Sequence, residues 1–344
     1  MAKSAPSKVT IVEVAKKAGV SLGTVSRVLN NDAHVSDETR QHVSTVIEEL
    51  GYVANQQARS LKGRKTNVIG VLVPNLANSY IGEILHGIDT ELALHQLEMM
   101  LFTTHRAAAK EASYVANIVR GMADGLLVIL PRSFNDYTDT LAHFHFPFVL
   151  IDYQGSGVSF PSVGATNWQG GYSATEYLIK LGHKRIGFIT GSIDLGCSQD
   201  RLSGYRSALR THHLKEEPEL IYEGDFLQPD GYRGASVLLD LPEPPTAVFA
   251  SNDLMAMGAM DAIRNRGLRI PEDISVIGFD NIQQSAMVHP PLTTVQQPLD
   301  QMGRVAIQLL LGVLKDPSKD TGRIELPTEL IVRGSTSVPG GRVD

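Results

Sequence analysis

Cysteine is almost missing: Cys197 is the only one among 344 residues. That excludes an internal disulfide framework and suits a reducing compartment. No stretch reaches about 18 consecutive apolar residues, so a membrane-spanning helix is not expected. The first eight residues carry two lysines and no apolar segment, unlike a secretory signal. Several chemical signatures are also absent. There is no Gly-x-x-x-x-Gly-Lys-Ser/Thr phosphate loop and no Gly-x-Ser-x-Gly nucleophile elbow. Gly155 and Gly157 lack the third glycine of a dinucleotide fingerprint. His143, His145, His212 and His213 have no carboxylates or cysteines at metal-ligand spacing, so no metal is expected. Cys197 has no evident catalytic partner and reads as a buried or bystander thiol.

Basic residues are outnumbered overall, and the net charge of −6 argues weakly against nucleic acid. The distribution reverses this. Residues 1–65 hold ten Lys and Arg against six Asp and Glu, a net +4, and the rest of the chain carries −10. A basic module fused to an acidic body is the asymmetry expected where one end meets phosphate.

The first 50 residues read as three short helices. Thr10, Ile11, Val12 and Glu13 form a capping box, and Gly19 supplies the turn that ends the first helix. Ser21 caps a second helix reaching about Leu29, with Val25 and Val28 facing inward. Ser36 caps a third, whose buried stripe is Val43, Val46, Ile47 and Leu50, with Gly51 closing it. Residues 52–66 lose this periodicity and form the expected linker. From Asn67 onward strands and helices alternate. Apolar runs lie at Val68–Val73, Met99–Thr103, Leu126–Leu130, Phe148–Ile151, Arg185–Thr190, Ala247–Ala250 and Ser275–Phe279, with amphipathic segments such as Tyr80–Leu94 and Tyr172–Leu181 between them. This alternation implies parallel sheets covered on both faces. About 270 residues exceed one core, so two α/β lobes are expected, with a ligand crevice at the carboxyl ends of their strands.

Thr10 to Asn30 carries the strongest motif: two helices joined at a glycine turn, the arrangement that lays the second helix in a DNA major groove. Ser21, Thr24 and Ser26 offer hydroxyls to phosphate, and Arg27 is a forked donor suited to guanine O6 and N7. The strings Val14–Ser21 and Thr24–Asn30, followed by His34-Val35-Ser36 and Asn55–Leu61, closely resemble the lactose/galactose repressor (LacI/GalR) family of transcriptional regulators, through nearly the whole chain. The resemblance implies an all-α helix-turn-helix headpiece plus an α/β body of two Rossmann-like parallel-sheet subdomains of periplasmic-binding-protein type. It implies that Leu22, Gly23 and Arg27 face base edges, while Thr10, Ser21, Thr24, Asn30, His34, Ser36 and Thr39 line phosphates. Many members carry larger or polar side chains where this chain has Leu22 and Gly23, so direct readout there should be poor, although Leu22 suits a thymine methyl. Asn55 to Leu61, including Ala58, would form a hinge helix on DNA, with Leu61 wedged between central base pairs. Unstacking costs roughly a few kcal/mol and is offset by the contacts of bent DNA. Seven residues do not hold a helix alone in water, which makes the hinge a natural switch.

A ligand site has to be assembled from separate loops: Pro74–Tyr80 with Asn78 and Tyr80, then Asp152, Arg201, Phe226, Asn252, Asp280 and Gln297. Carboxylates, a guanidinium, amides and aromatic faces suit a polyhydroxylated ligand. In the family, positions matching Asp152, Arg201, Phe226, Asn252, Asp280 and Gln297 line the effector cleft. Asp253 reads instead as the cap of the following helix, and Asp225 is open between ligand and structural roles. A neutral sugar is expected first, because Asp152 and Asp280 would repel an anion, and a purine second. No cofactor is expected.

The domains implied are a headpiece over 1–51, a hinge helix and linker over 52–66, and an effector-binding and dimerisation body over 67–344. Within the body, one subdomain takes about 67–166 plus 299–326 and the other about 167–298 plus 327–344. The function expected is sequence-specific transcriptional regulation, most simply repression, without enzymatic activity and in the cytoplasm, nucleoid-associated when DNA-bound. One headpiece reads a short half-site, so a homodimer on a near-palindromic double-stranded operator is expected. The end at Ser337 to Gly341 lacks a heptad pattern, which favours a dimer over a tetramer. Two alternatives remain: a secreted sugar-binding protein, which would want a signal and no headpiece, and a sugar-acting α/β enzyme using Asp152 and Asp280.

Overall fold

Both halves of the capping box at Thr10 are formed. Glu13 N donates to Thr10 Oγ1 at 3.4 Å, and Thr10 N donates to the Glu13 carboxylate at 2.7 Å. Helix α1 runs Ile11–Ala18 and stops at Gly19, whose φ of 63° is the left-handed cap that glycine adopts without strain. Helix α2 spans Leu22–Leu29, with Ser21 Oγ accepting from Thr24 N at 3.1 Å, and α3 spans Asp37–Leu50 between Ser36 and Gly51. Val14, Ala15, Ala18, Val25, Val28, Val43 and Val46 are their common core. Ile47 and Leu50, expected in the same stripe, are half-buried at its rim.

The computed structural model describes residues 9–29, 32, 34–52, 65–76, 79–132, 134–153, 160–316 and 322–340, the Ala108 side chain excepted. The chain divides into two compact units, Met1–Thr66 and Asn67–Asp344. Among the described residues, the strands of the second unit are β1 Val68–Val73, β2 Glu98–Thr103, β3 Gly125–Ile129, β4 Phe148–Ile151, β5 Ser162–Ala165, β6 Ile186–Thr190, β7 Ile221–Glu223, β8 Ala247–Ala250, β9 Ser275–Asp280, β10 Thr293–Gln296, β11 Arg323–Leu326 and β12 Glu329–Ile331. The helices are α4 Ser79–Leu94, α5 Ala108–Asn117, α6 Asn135–His143, α7 Asn167–Lys180, α8 Gly196–Thr211, α9 Gln228–Leu239, α10 Asp253–Asn265 and α11 Leu299–Lys315.

The strands form two six-stranded sheets, ordered β11-β5-β4-β3-β1-β2 and β12-β10-β9-β8-β6-β7. The first is parallel throughout; the second departs from the parallel expectation at its edge, where β12 runs antiparallel to β10. The reason is the short crossing from β11. The chain leaves the first sheet at the carboxyl ends of its strands and enters the second at the matching end, so β12 must run back, with Glu329 opposite Gln296. Helices cover both faces of each sheet. Ile84 and Ile88 of α4 share a core with Met302, Ala306 and Ile307 of α11, while Tyr137 and Leu141 lie in the core of the opposite face. Gly87 and Gly303 permit the crossing of α4 and α11: an added Cβ would meet Asp300 O at 2.0 Å and Ile84 O at 2.2 Å. The chain passes between the lobes after β5, after β10 and after β11. Two of these crossings are tied together, Thr328 N donating to Thr166 Oγ1 at 2.9 Å.

Candidate functional site

In the headpiece the side chains divide by face. Val25 and Val28 of α2 point into the core, while Ser21, Leu22, Gly23 and Arg27 are exposed. Gly23 and Arg27 are four residues apart and so share one side of the helix. Leu22, an apolar residue at the start of α2, is 48% exposed, which the headpiece core does not account for. Thr10, Ser21 and Ser36 stand at the amino ends of the three helices, where free backbone N–H groups and the helix dipole favour an anion such as phosphate. Ser21 and Thr24 lie 2.9 Å apart through their hydroxyls, as do Ser36 and Thr39. His34 is exposed and held by Asp32, whose Oδ1 lies 2.9 Å from both its backbone N and its Nδ1. Hydrogen bonds from His34 in turn hold the Asp32 carboxyl below its ordinary value. Asn30, Asn55, Ala58 and Leu61, together with Asn78 of the body, lie outside the described residues.

In the body a cavity lies between the two sheets. Its wall is drawn from the carboxyl ends of four strands in each sheet. Pro74 and Asn75 follow β1, Arg106 follows β2, Leu130 and Arg132 follow β3, and Asp152 follows β4. From the other lobe, Leu195 and Cys197 follow β6, Phe226 follows β7, Asn252 follows β8, and Asp280 ends β9. Tyr80, Ile81 and Arg201 enter from helices. Arg106, Leu130, Asp152, Phe226 and Asp280 all have positive φ, from 51° to 110°. Such backbone is unfavourable for non-glycine residues and gathers where geometry serves a site. The Phe226 ring seats against Gly191, where any Cβ would come within 2.1 Å of it.

The polar wall is one hydrogen-bonded chain. Tyr80 Oη donates to Asp152 Oδ2 at 2.7 Å, and Asn167 Nδ2 donates to Asp152 Oδ1 at 3.2 Å. Arg201 Nε donates to Asn167 Oδ1 at 2.8 Å, and its Nη1 donates to Ser251 O at 2.5 Å and lies 3.7 Å from Asp280 Oδ1. The guanidinium also stacks 3.8 Å from the Phe279 ring centroid. Burial pushes the Asp280 carboxyl up to about 7, outweighing the Arg201 charge and the Gln297 hydrogen bond that favour ionisation. Between the unfolded value of 3.8 and about 7, only the folded chain keeps this proton, so stability falls as pH rises through that window. The melting temperature of the full chain is therefore expected to fall from about pH 5 to about pH 7, and Asp280→Asn to flatten that slope. A variant profile parallel to the native one would contradict the assignment.

Several sequence expectations change here. Gln297 does not line the cavity; it stands behind the wall and donates to Asp280 Oδ1 at 2.7 Å. Asn252 lines the cavity and also caps α10, its Oδ1 accepting from Met255 N at 2.9 Å and its Nδ2 donating to Phe226 O at 3.1 Å. The capping role expected of Asp253 is thus filled by its neighbour. Asp253 is fully buried and accepts from Ile282 N at 2.9 Å and Thr294 Oγ1 at 2.5 Å, and burial followed by the Asp280 charge pushes its carboxyl well up. Cys197 is buried in the cavity wall, and burial raises its thiol to about 12, far from a reactive thiolate. Arg106 and Arg132 were missed altogether; the available signal was an arginine two or three residues beyond the end of a recognisable strand. Among the described residues no cluster of three or more His, Cys, Asp or Glu could hold a metal, and no helix is long and apolar enough to cross a membrane.

A capped helix-turn-helix with an exposed second helix, followed by two α/β lobes around a polar cleft, defines a ligand-responsive DNA-binding regulator. The pattern described as "Bacterial regulatory proteins, lacI family" matches residues 10–55, and the "Periplasmic binding protein-like domain" matches residues 175–336. The HTH-type transcriptional repressor PurR of Pasteurella multocida (strain Pm70) is 37% identical over 327 residues, covering 95% of this chain and 98% of that protein. The HTH-type transcriptional repressor CytR of Escherichia coli (strain K12) is 36% identical over 335 residues, covering 97% and 98%. The lac repressor dimer bound to operator and the anti-inducer ONPF matches with a TM-score of 0.81 at 30% identity, over 96% of this chain and 99% of that one. A complex of the transcriptional regulator CelR with cellobiose gives 0.73 at 32% identity, over 95% and 99%. The chain belongs to the LacI family of bacterial regulatory proteins. It is a transcriptional regulator, and the enzyme and secreted-binder alternatives are set aside.

Proposed function

We propose that the chain is a repressor whose operator affinity is set by a neutral sugar bound between the lobes of its body. The observation that carries this is the cavity itself: each lobe contributes strand ends, so a ligand there touches both and favours one angle between them. Asp152, Arg201 and Asn252 offer acceptors and donors for hydroxyls, and Tyr80 and Phe226 offer apolar faces for sugar C–H groups. The charges are nearly matched, three arginines standing against Asp152, Asp280, Asp194 and Asp225, which favours an uncharged ligand. Cellobiose in the related CelR complex and ribose in a regulator of Enterococcus faecium support the class. A purine is the second reading, favoured only by the aromatic walls.

Thr10, Ser21, Thr24, Asn30, His34, Ser36 and Thr39 would hold phosphates. Leu22 and Arg27 would meet bases, and Leu61, in a hinge with Asn55 and Ala58, would open the minor groove. The domain scheme 1–51, 52–66 and 67–344 follows from these roles. Like the related lac repressor, the chain would act as a dimer on a near-palindrome, in the cytoplasm. The test is a thermal-shift screen of sugars, sugar acids and nucleobases on the full chain, because a ligand specific to the folded state raises stability in proportion to ln(1 + [L]/Kd). A neutral sugar should give a saturable shift. Saturable shifts from nucleobases alone would overturn the sugar in favour of the purine.

A further inference from the structure

Asp225 reaches from the second lobe to two arginines of the first. Arg132 Nη2 donates to its Oδ1 at 2.7 Å, and Arg106 Nη1 donates to its Oδ2 and, at 3.0 Å, to its backbone carbonyl. Asp194, also of the second lobe, lies 3.5 Å from Arg132 Nη1. Arg106 and Arg132 are only 22% and 20% exposed, and both line the cavity. Two guanidiniums converging on the two oxygens of one carboxylate form an anion site, and forked donors of this kind match carboxylate and phosphate alike. Here the anion is supplied by the protein. Its place is fixed by its neighbour, since Phe226 has a φ of 61° and its ring is seated against Gly191.

We propose that Asp225 is a specificity-determining residue of the cleft: its carboxylate fills the anion site made by Arg106 and Arg132, closing the lobes over neutral ligands and denying that site to phosphorylated or carboxylated ones. The proposal rests on the cleft being the site of a small-molecule effector. An anionic ligand must either expel Asp225, which breaks the contact between the lobes, or lie beside Asp152, Asp194 and Asp225 with its charge unmatched. A neutral ligand meets neither cost. This is selection by a built-in repulsive group as well as by attraction.

The test uses the full-length chain and inorganic phosphate as the probe, in chloride buffer at matched ionic strength, so that phosphate binding by the basic headpiece is common to all variants and cancels. Native protein should show no more than this common phosphate-dependent shift, which the double variant Asp225→Asn/Arg132→Gln should share. Asp225→Asn and Asp225→Ala should each gain a saturable rise in melting temperature of about 3 °C or more beyond the native shift. Adding Arg132→Gln to Asp225→Asn should remove it. An equal shift in the native protein, no gain in folded variants, or a gain that survives Arg132→Gln would overturn the proposal. Failure of both single variants to fold would also overturn it, by making Asp225 a structural residue. The gain does not depend on which neutral effector binds, so a failed sugar screen beside a gained phosphate site separates this proposal from the functional one.

Discussion

Arg27→Ala is expected to lower affinity for the specific operator by about 1–3 kcal/mol, roughly fivefold to more than a hundredfold, while leaving non-specific DNA binding nearly unchanged. The asymmetry follows from the face that α2 presents. Gly23 shares the side of Arg27 but offers no side chain, and Leu22 offers only apolar contact, so under the proposed reading one forked donor would carry most of the hydrogen-bonded base readout among the described residues. Ser21→Ala, which removes a hydroxyl proposed to meet phosphate, should instead weaken all sequences alike. Binding to specific and scrambled duplexes, measured by anisotropy at two salt concentrations, distinguishes the two effects. Equal losses on both duplexes for Arg27→Ala would make Arg27 a phosphate contact.

Arg201→Ala is expected to abolish the effector response and to destabilise the body by about 3–5 kcal/mol, the usual cost of leaving a buried charge without its partner. Arg201 is 2% exposed and joins Asn167, Ser251 and Asp280. The loss should depend on pH. At about pH 5, below the raised Asp280 value of about 7, that carboxyl is already neutral and little ion pairing is lost. At about pH 8 it is ionised in the native protein, and removing Arg201 leaves it to face Asp152 uncompensated. Denaturant melts should therefore show the larger loss at the higher pH; the reverse order would mean that Arg201 acts chiefly by packing on Phe279.

The headpiece was legible because its signals are local. Caps, glycine turns and helical spacing at Thr10, Gly19, Ser36 and Gly51 are properties of neighbouring residues. The long buried strands were legible as apolar runs. β5, β7, β10, β11 and β12 were not: each is three or four residues long and lacks an apolar run. The cleft was half legible. Asp152, Asn252 and Asp280 stand at the ends of visible strands, but the capping of α10 by Asn252 in place of Asp253 depends on Asp253 being taken up by Ile282 N after β9 and Thr294 of β10. The contacts of Arg106 and Arg132 with Asp225 depend on the approach of two lobes, and residues 93 or more apart in sequence give no local sign of it. That contact matters to the functional reading, because two carboxylates seen alone suggest a site hostile to anions by charge, whereas the structure sets arginines against the carboxylates so that the charges are nearly matched.

The most direct test of the whole account is to titrate a full-length operator complex, the duplex having been chosen by selection from a random pool, with the small molecule identified by thermal shift. A change in operator affinity of about fivefold or more is expected, consistent with a coupling energy of about 1–3 kcal/mol, and it should vanish in Arg201→Ala at ligand concentrations that saturate the native cleft. Operator affinity unchanged while the native cleft is saturated would contradict the claim that this chain is a ligand-controlled repressor.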